Sequence, residues 1–153
     1  MKVLIQRAAS GSVSVDGETI GQIGRGLVVL VGVRTGDTQT DALKLAQRSA
    51  TLRIFPDDEG RMNRSLADIG GEALVISQFT LYADTRKGNR PSFIRAGDPA
   101  IAETLYNTYV AELARQPGIA KVATGRFGAS MQVELINDGP VTIELSSDSA
   151  ALP

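Results

Sequence analysis

The chain has 153 residues, with 16 lysines and arginines against 17 aspartates and glutamates, and no cysteine or histidine. That length fits one domain, which buries roughly 70% of the surface its unfolded form exposes and needs no staple. Near charge balance excludes a polycation, so nucleic-acid contact requires a local patch; the missing residue types exclude disulfides, Ser-His-Asp and Cys-His relays, and imidazole or thiolate metal ligation.

Residues 2–7 alternate and read as a strand, and residues 12–16 alternate cleanly. Asp16-Gly17 supplies a hairpin turn, because glycine takes the positive φ of a type I′ turn. Residues 26–33 are a continuous apolar, β-branched run, which predicts a strand buried on both faces. Gly36-Asp37-Thr38 breaks the chain and caps a helix over residues 40–52, with Ala42, Leu45, Ala46, Ser49 and Leu52 on its inner stripe. Residues 53–55 make a short strand before the turn Pro56-Asp57-Asp58-Glu59-Gly60. Residues 72–82 are a strand running into a polar loop. Asp98 as N-cap and Pro99 at the first helical position open a second helix. Its buried stripe is Ile101, Leu105, Tyr109 and Leu113, and Pro117-Gly118 ends it. Residues 130–136 alternate, the turn Asn137-Asp138-Gly139-Pro140 follows, and residues 141–145 are the last strand.

Strands in adjacent pairs and two isolated helices predict an α+β fold with a largely antiparallel sheet and two main helices. The domain covers residues 1–146; residues 147–153, small and polar, read as a flexible tail. Apolar residues occupy more strand faces than two helices cover, which points to a dimer. The N-terminal residues lack the apolar stretch of a secretory signal, and the longest apolar run, residues 27–33, is far short of the roughly 20 residues that span a bilayer. The expectation is a cytoplasmic protein that binds no membrane.

Four segments bear on chemistry. Ser77-Gln78-Phe79-Thr80 ends an apolar strand, and period-2 alternation puts Ser77 and Phe79 on one face and Gln78 and Thr80 on the other, where the polar pair meets a ligand or simply water. Residues 85–95 carry Arg86, Lys87, Arg90 and Arg95 around Phe93: a loop for a phosphate backbone with a stacking ring, or a solvated charge run, which Arg61 and Arg64 could extend. Gly139-Pro140 is either a hairpin turn or a cis bond that turns two carbonyls to one side, toward a ligand ammonium. Asp57-Asp58-Glu59 and Asp16 with Glu18 lie at turn signals without metal-ligand spacing, so neither a metal nor a cofactor is expected.

Taken together these segments resemble the D-aminoacyl-tRNA deacylases of the bacterial and eukaryotic type. The likeness runs through residues 1–146: MKVLIQR, SVSVDGE, IGQIGRGLVVLVGV, LRIFPDDEGRMN, SQFTLYADTRKGNRPSF, TGRFGASM and NDGPVT. Its two defining motifs, Ser77-Gln78-Phe79-Thr80 and the Gly139-Pro140 of NxGPVT, are intact and in order.

The resemblance implies a homodimeric hydrolase that cleaves the ester between a D-amino acid, or glycine mischarged on alanine tRNA, and the terminal adenosine of tRNA. It implies a cis Gly139-Pro140 peptide that enters the partner's pocket, holds the substrate ammonium with its carbonyls and leaves no room for an L side chain. Arg7 would orient that peptide, Ser77 and Gln78 would contact substrate, and Arg86, Lys87 and Arg90 would hold tRNA, with no DNA partner.

Catalysis is open between attack by the Thr80 hydroxyl and attack by water, assisted by the ribose 2′-hydroxyl and an oxyanion site from the backbone N–H groups of Phe79 and Thr80. The second explains why no acid–base side chain is needed. A non-catalytic RNA-binding dimer with the same pocket is the alternative function.

Overall fold

The computed structural model describes residues 1–148. Strand β1 (Lys2–Val15) is the long central element. It turns through Asp16 and Gly17, at φ 50° and 80°, into β2 (Glu18–Ile23), as the Asp-Gly signal predicts. Strand β3 (Gly26–Gly32) pairs antiparallel with the first half of β1. Helix α1 (Gln39–Thr51) begins at Thr38, whose hydroxyl accepts from the Asp41 N–H while the Asp41 carboxylate accepts from the Thr38 N–H. A small ribbon of β4 (Phe55–Pro56) and β5 (Met62–Arg64) follows. Asp57 organises its turn by accepting from the backbone of Glu59 and Arg61 and from the Asn63 side chain, so the acidic cluster there is turn chemistry.

Strand β6 (Glu72–Ser77), helix α2 (Pro99–Arg115), strand β7 (Lys121–Thr124) and the long strand β8 (Gln132–Ser146) complete the fold. The strand order is β2-β1-β3-β6-β7, with β8 paired to β1. β1 is antiparallel to β2, β3 and β8, whereas β6 is parallel to both β3 and β7. The fold is thus α+β with a mixed sheet. Each helix, isolated in the sequence, is a crossover between parallel neighbours: α1 joins β3 to β6, and α2 joins β6 to β7. The four-residue β7 had no strand signal of its own, so the crossover was hidden.

The sheet curls until its ends meet, with the Lys121 ammonium donating to the Gln22 carbonyl at 2.6 Å. The curl makes two cores. Ala8, Val13, Val28, Leu74 and Ile76 pack inside it. Leu27, Val29, Val31, Ala73 and Val75 point the other way, onto Leu45, Ala46, Tyr109 and Leu113 of the helices. β3 is therefore buried on both faces, as its unbroken apolar run predicts.

Two expectations need correction. Ile101 is 58% exposed, and the inner stripe of α2 is Leu105, Tyr106, Tyr109, Glu112 and Leu113. Tyr106 and Tyr109 hold that register, donating to the Val75 carbonyl and to Ser49 Oγ, both at 2.7 Å. The Asn137-Asp138-Gly139-Pro140 turn also does not reverse the chain. Gln6 faces Thr142 and Ala8 faces Asn137, so residues 138–141 bulge out opposite Arg7 alone while β8 keeps its direction on both sides. Beyond β8, the Ser147 N–H donates to the Met1 carbonyl and Asp148 pairs with Arg34, so these two residues of the expected tail are bound; residues 149–153 lie outside the described part.

Candidate active site

The parallel strands β3, β6 and β7 all end on one side of the molecule, and a cleft opens there, as ligand sites in parallel sheets do. Its volume is about 590 Å³, within the usual range for a small-molecule site. Val31 and Val33 come from the end of β3 and the residue just past it, Ile76 and Ser77 from the end of β6, and Gln78 and Phe79 from the chain that follows β6. The rest of the lining comes from Phe93, Ala96, Gly97 and Pro99, from Ala102 and Tyr106 of α2, and from Phe127 to Ala129 with Met131 and Val133.

After Ser77 the chain leaves the strand. The Gln78 N–H still donates to the Val31 carbonyl at 2.7 Å, then Phe79–Tyr82 form one turn of 3-10 helix. Strict alternation therefore stops at Ser77, and the expected sharing of faces within the motif does not hold. The Gln78 side-chain amide donates to Thr80 Oγ1. The turn packs directly on β3 because residue 32 is glycine: a Cβ there would lie 2.9 Å from Leu81 Cβ and 3.1 Å from the Gln78 carbonyl. Among the described residues, the backbone N–H groups of Phe79 and Thr80 have no acceptor.

Among the described residues, no Asp, Glu, Lys or Arg lines the cleft. Its one titratable group, the Tyr106 phenol, is pushed up to about 12 by burial and donates to the Val75 carbonyl, so it stays protonated. Among the described residues no group of three acidic side chains is placed to hold a metal.

The other candidate residues fall into two further places. Arg7, its side chain only 12% exposed, donates from Nε to the Asp138 carbonyl and from Nη1 to the Ile54 carbonyl, each at 2.7 Å, and lies 3.4 Å from the Asp138 carboxylate. The bulge it grips is closed by the Val141 N–H donating to Asn137 Oδ1 at 2.9 Å. The Gly139-Pro140 bond is cis and solvent-exposed, and neither residue lines the cleft of its own chain. The basic loop is pinched by mutual backbone hydrogen bonds of Asp84 and Ser92. Arg86 chelates Asp84; hydrogen bonds from that guanidinium hold the Asp84 carboxyl well below the usual range. Lys87 and Arg90 are exposed and, among the described residues, have no carboxylate partner.

The structure thus brings Ser77, Gln78 and Phe79 into one cleft, places Thr80 next in the chain but outside the lining, and leaves Arg7, Gly139 and Pro140 together elsewhere. Sequence reasoning assigned no role to Tyr106, Phe127 or Met131, or to the Ile54 carbonyl. Phe127, an aromatic residue between Arg126 and Gly128, was the available signal.

The family model for D-Tyr-tRNA(Tyr) deacylase matches residues 4–146. A relative from Roseiflexus castenholzii, named D-aminoacyl-tRNA deacylase, is 63% identical across 96% of this chain and 92% of its own. One of the same name from Dehalococcoides mccartyi is 56% identical across 96% of this chain and 95% of its own. Among solved structures, one described as c-Myc DNA Unwinding Element Binding Protein superposes with a TM-score of 0.90 at 42% identity, covering 96% of this chain and 99% of that one. Another, a probable eukaryotic D-amino acid tRNA deacylase, shares the fold with a TM-score of 0.79 at 17% identity, covering 94% and 97%.

Proposed function

The chain belongs to the D-Tyr-tRNA(Tyr) deacylase family and is a hydrolase of the D-aminoacyl-tRNA ester, and we propose that it works by alignment and chiral exclusion instead of acid–base catalysis. The observation that carries this is a cleft with no ionisable catalyst beside two unpartnered N–H groups, in a chain without histidine or cysteine. The terminal adenosine and its aminoacyl ester enter the cleft against Ser77 and Gln78. Water attacks the ester carbonyl carbon, the bond to the ribose oxygen breaks, and the adjacent ribose 2′-hydroxyl relays the proton to that leaving oxygen. The N–H groups of Phe79 and Thr80 receive the developing oxyanion; one such donor is worth about 10²–10³ in kcat.

Discrimination in this reading belongs to the bulge at residues 138–141, entering the cleft of a second copy. Supporting it are the exposure of Gly139 and Pro140, their separation from the cleft of their own chain and the Arg7 clamp that fixes them. The bulge's carbonyls take the substrate ammonium and its backbone fills the space of an L side chain; a main-chain wedge cannot rotate away as a side chain would. Glycine, with no side chain to reject, is also released, including glycine mischarged on alanine tRNA. The protein works in the cytoplasm as a homodimer, with Lys87 and Arg90, and Arg86 where it can leave Asp84, on the tRNA.

The test is ester loss from D-tyrosyl-tRNA, L-tyrosyl-tRNA and D-tyrosyl-tRNA ending in 2′-deoxyadenosine. Rapid loss of the first alone is expected. Normal turnover of the deoxy substrate defeats the RNA-assisted step, and equal loss of both enantiomers defeats the wedge.

A further inference from the structure

Resting on the deacylase reading above, we propose that the exposed Phe79–Phe93 pair, flanked by Lys87, Arg90 and Arg126, is a second nucleotide subsite. It would stack the base on the 5′ side of the terminal adenosine and hold that nucleotide's phosphates. Phe79 is 57% exposed and Phe93 39%, unusual for rings that already touch each other. Their centroids lie 5.0 Å apart at 72°, an edge-to-face pair that leaves ring faces open. Both rings line the cleft, so they are within reach of a strand whose 3′ end sits inside it.

The cations decide what the rings are for. Lys87 and Arg90 lie within six residues of Phe93, and Arg126 directly precedes the Phe127 to Ala129 segment that lines the same cleft. All three are exposed and, among the described residues, none has a carboxylate within ion-pair distance. Arg86 is excluded from the set by its Asp84 chelate. An apolar protein surface on the rings would leave three cations uncompensated at its rim. Single-stranded RNA satisfies both features, because every base has a π-face and every nucleotide a phosphate. Phe79 then serves twice: its backbone N–H faces the reacting ester and its ring faces the neighbouring nucleotide.

The experiment compares kcat/KM for D-tyrosyl-tRNA with that for D-tyrosyl-adenosine, which lacks the second nucleotide, in wild type, Phe93→Leu, Phe93→Tyr and the Lys87→Ala/Arg90→Ala double variant. Phe93→Leu keeps an apolar side chain against Phe79 and removes the stack; the tRNA-to-adenosine ratio should fall on the order of 10- to 100-fold, while Phe93→Tyr holds it. The double variant should flatten the salt dependence of log kcat/KM for tRNA by about 0.7 for each phosphate it no longer neutralises. A wild-type ratio in Phe93→Leu overturns the proposal, and if its sedimentation also changes, Phe93 is a subunit contact instead. Failure of wild type to hydrolyse either substrate overturns the deacylase reading itself, a result distinct from an unchanged ratio.

Discussion

Replacing Arg7 by alanine is the perturbation that separates the clamp on the bulge from the chemistry in the cleft. The guanidinium makes two hydrogen bonds of 2.7 Å, to the Asp138 and Ile54 carbonyls, with its side chain largely out of water. Hydrogen bonds to charged groups contribute about 1.5–3 kcal/mol each. Truncation also relieves the cost of burying the guanidinium, so a net loss of about 2–4 kcal/mol is expected rather than the full sum. At roughly 2–4 °C per kcal/mol for a chain of this size, the midpoint should fall by about 4–16 °C. Below that midpoint, residues 138–141 have lost their one side-chain tie to β1 across the register gap. The ratio of D- to L-tyrosyl-tRNA hydrolysis should then drop at least about 10-fold, through a rise in the L rate as the wedge loosens and a fall in the D rate as the carbonyls that take the ammonium lose their position. Arg7→Lys, which can reach one carbonyl but not both, should fall between. A destabilised Arg7→Ala with an unchanged D-to-L ratio refutes the reasoning, because the bulge would then be loosened without consequence for chirality.

Gly32→Ala should push the 3-10 turn off β3, since the new Cβ meets Leu81 Cβ at 2.9 Å; about 1–3 kcal/mol of stability and about 10-fold or more in kcat should go together, and a variant with unaltered kcat contradicts the packing argument. Thr80→Ala should reduce kcat about 10-fold without abolishing it if water is the nucleophile, whereas complete loss with tRNA binding retained in a filter assay assigns the attack to the hydroxyl. Chelators should leave turnover unchanged; a loss restored by a divalent ion would reveal a site made of other groups. The Ser65 N–H, donating to the Asp68 carboxylate at 2.8 Å, and then the Ser65 side chain, whose Oγ also accepts from the Asp68 N–H, hold the Asp68 carboxyl below the ordinary aspartate value of 3.8. The folded state therefore binds fewer protons than the unfolded one, and this stabilisation is complete above that value and lost as pH falls through the depressed one. Urea midpoints from pH 6 to 2.5 should fall less steeply at the acid end for Asp68→Asn than for wild type, and parallel curves contradict the assignment.

Much of the fold is local and was legible on that ground. Asp16-Gly17 could only be a tight hairpin, Thr38 and Asp98 cap helices through their own next turn, and residues 26–33 have no polar face to show water. The misreadings share a cause in pairing at a distance. β7 is a strand only because β6 lies beside it, and without β7 the crossover role of α2 is invisible. Ile101 fits the helical stripe, yet the two tyrosines that bond Val75 and Ser49 set the rotation of α2 and leave Ile101 in solvent. The Asn-Asp-Gly-Pro segment carries every turn signal, but both its flanks pair with the same strand, so it protrudes instead of reversing the chain.

Residue identity and order alone carried the excluded chemistry, the two motifs and the family they resemble, because none of these depends on how the chain folds. What folding added is that Ser77, Gln78 and Phe79 share a cleft lined, among the described residues, by no Asp, Glu, Lys or Arg, that Arg7 reaches 131 residues along the chain to hold Asp138, and that Gly139 and Pro140 stand apart from that cleft. Those are consequences of a sheet that mixes parallel and antiparallel pairs and curls on itself, and no run of neighbouring residues encodes which distant strand it will meet.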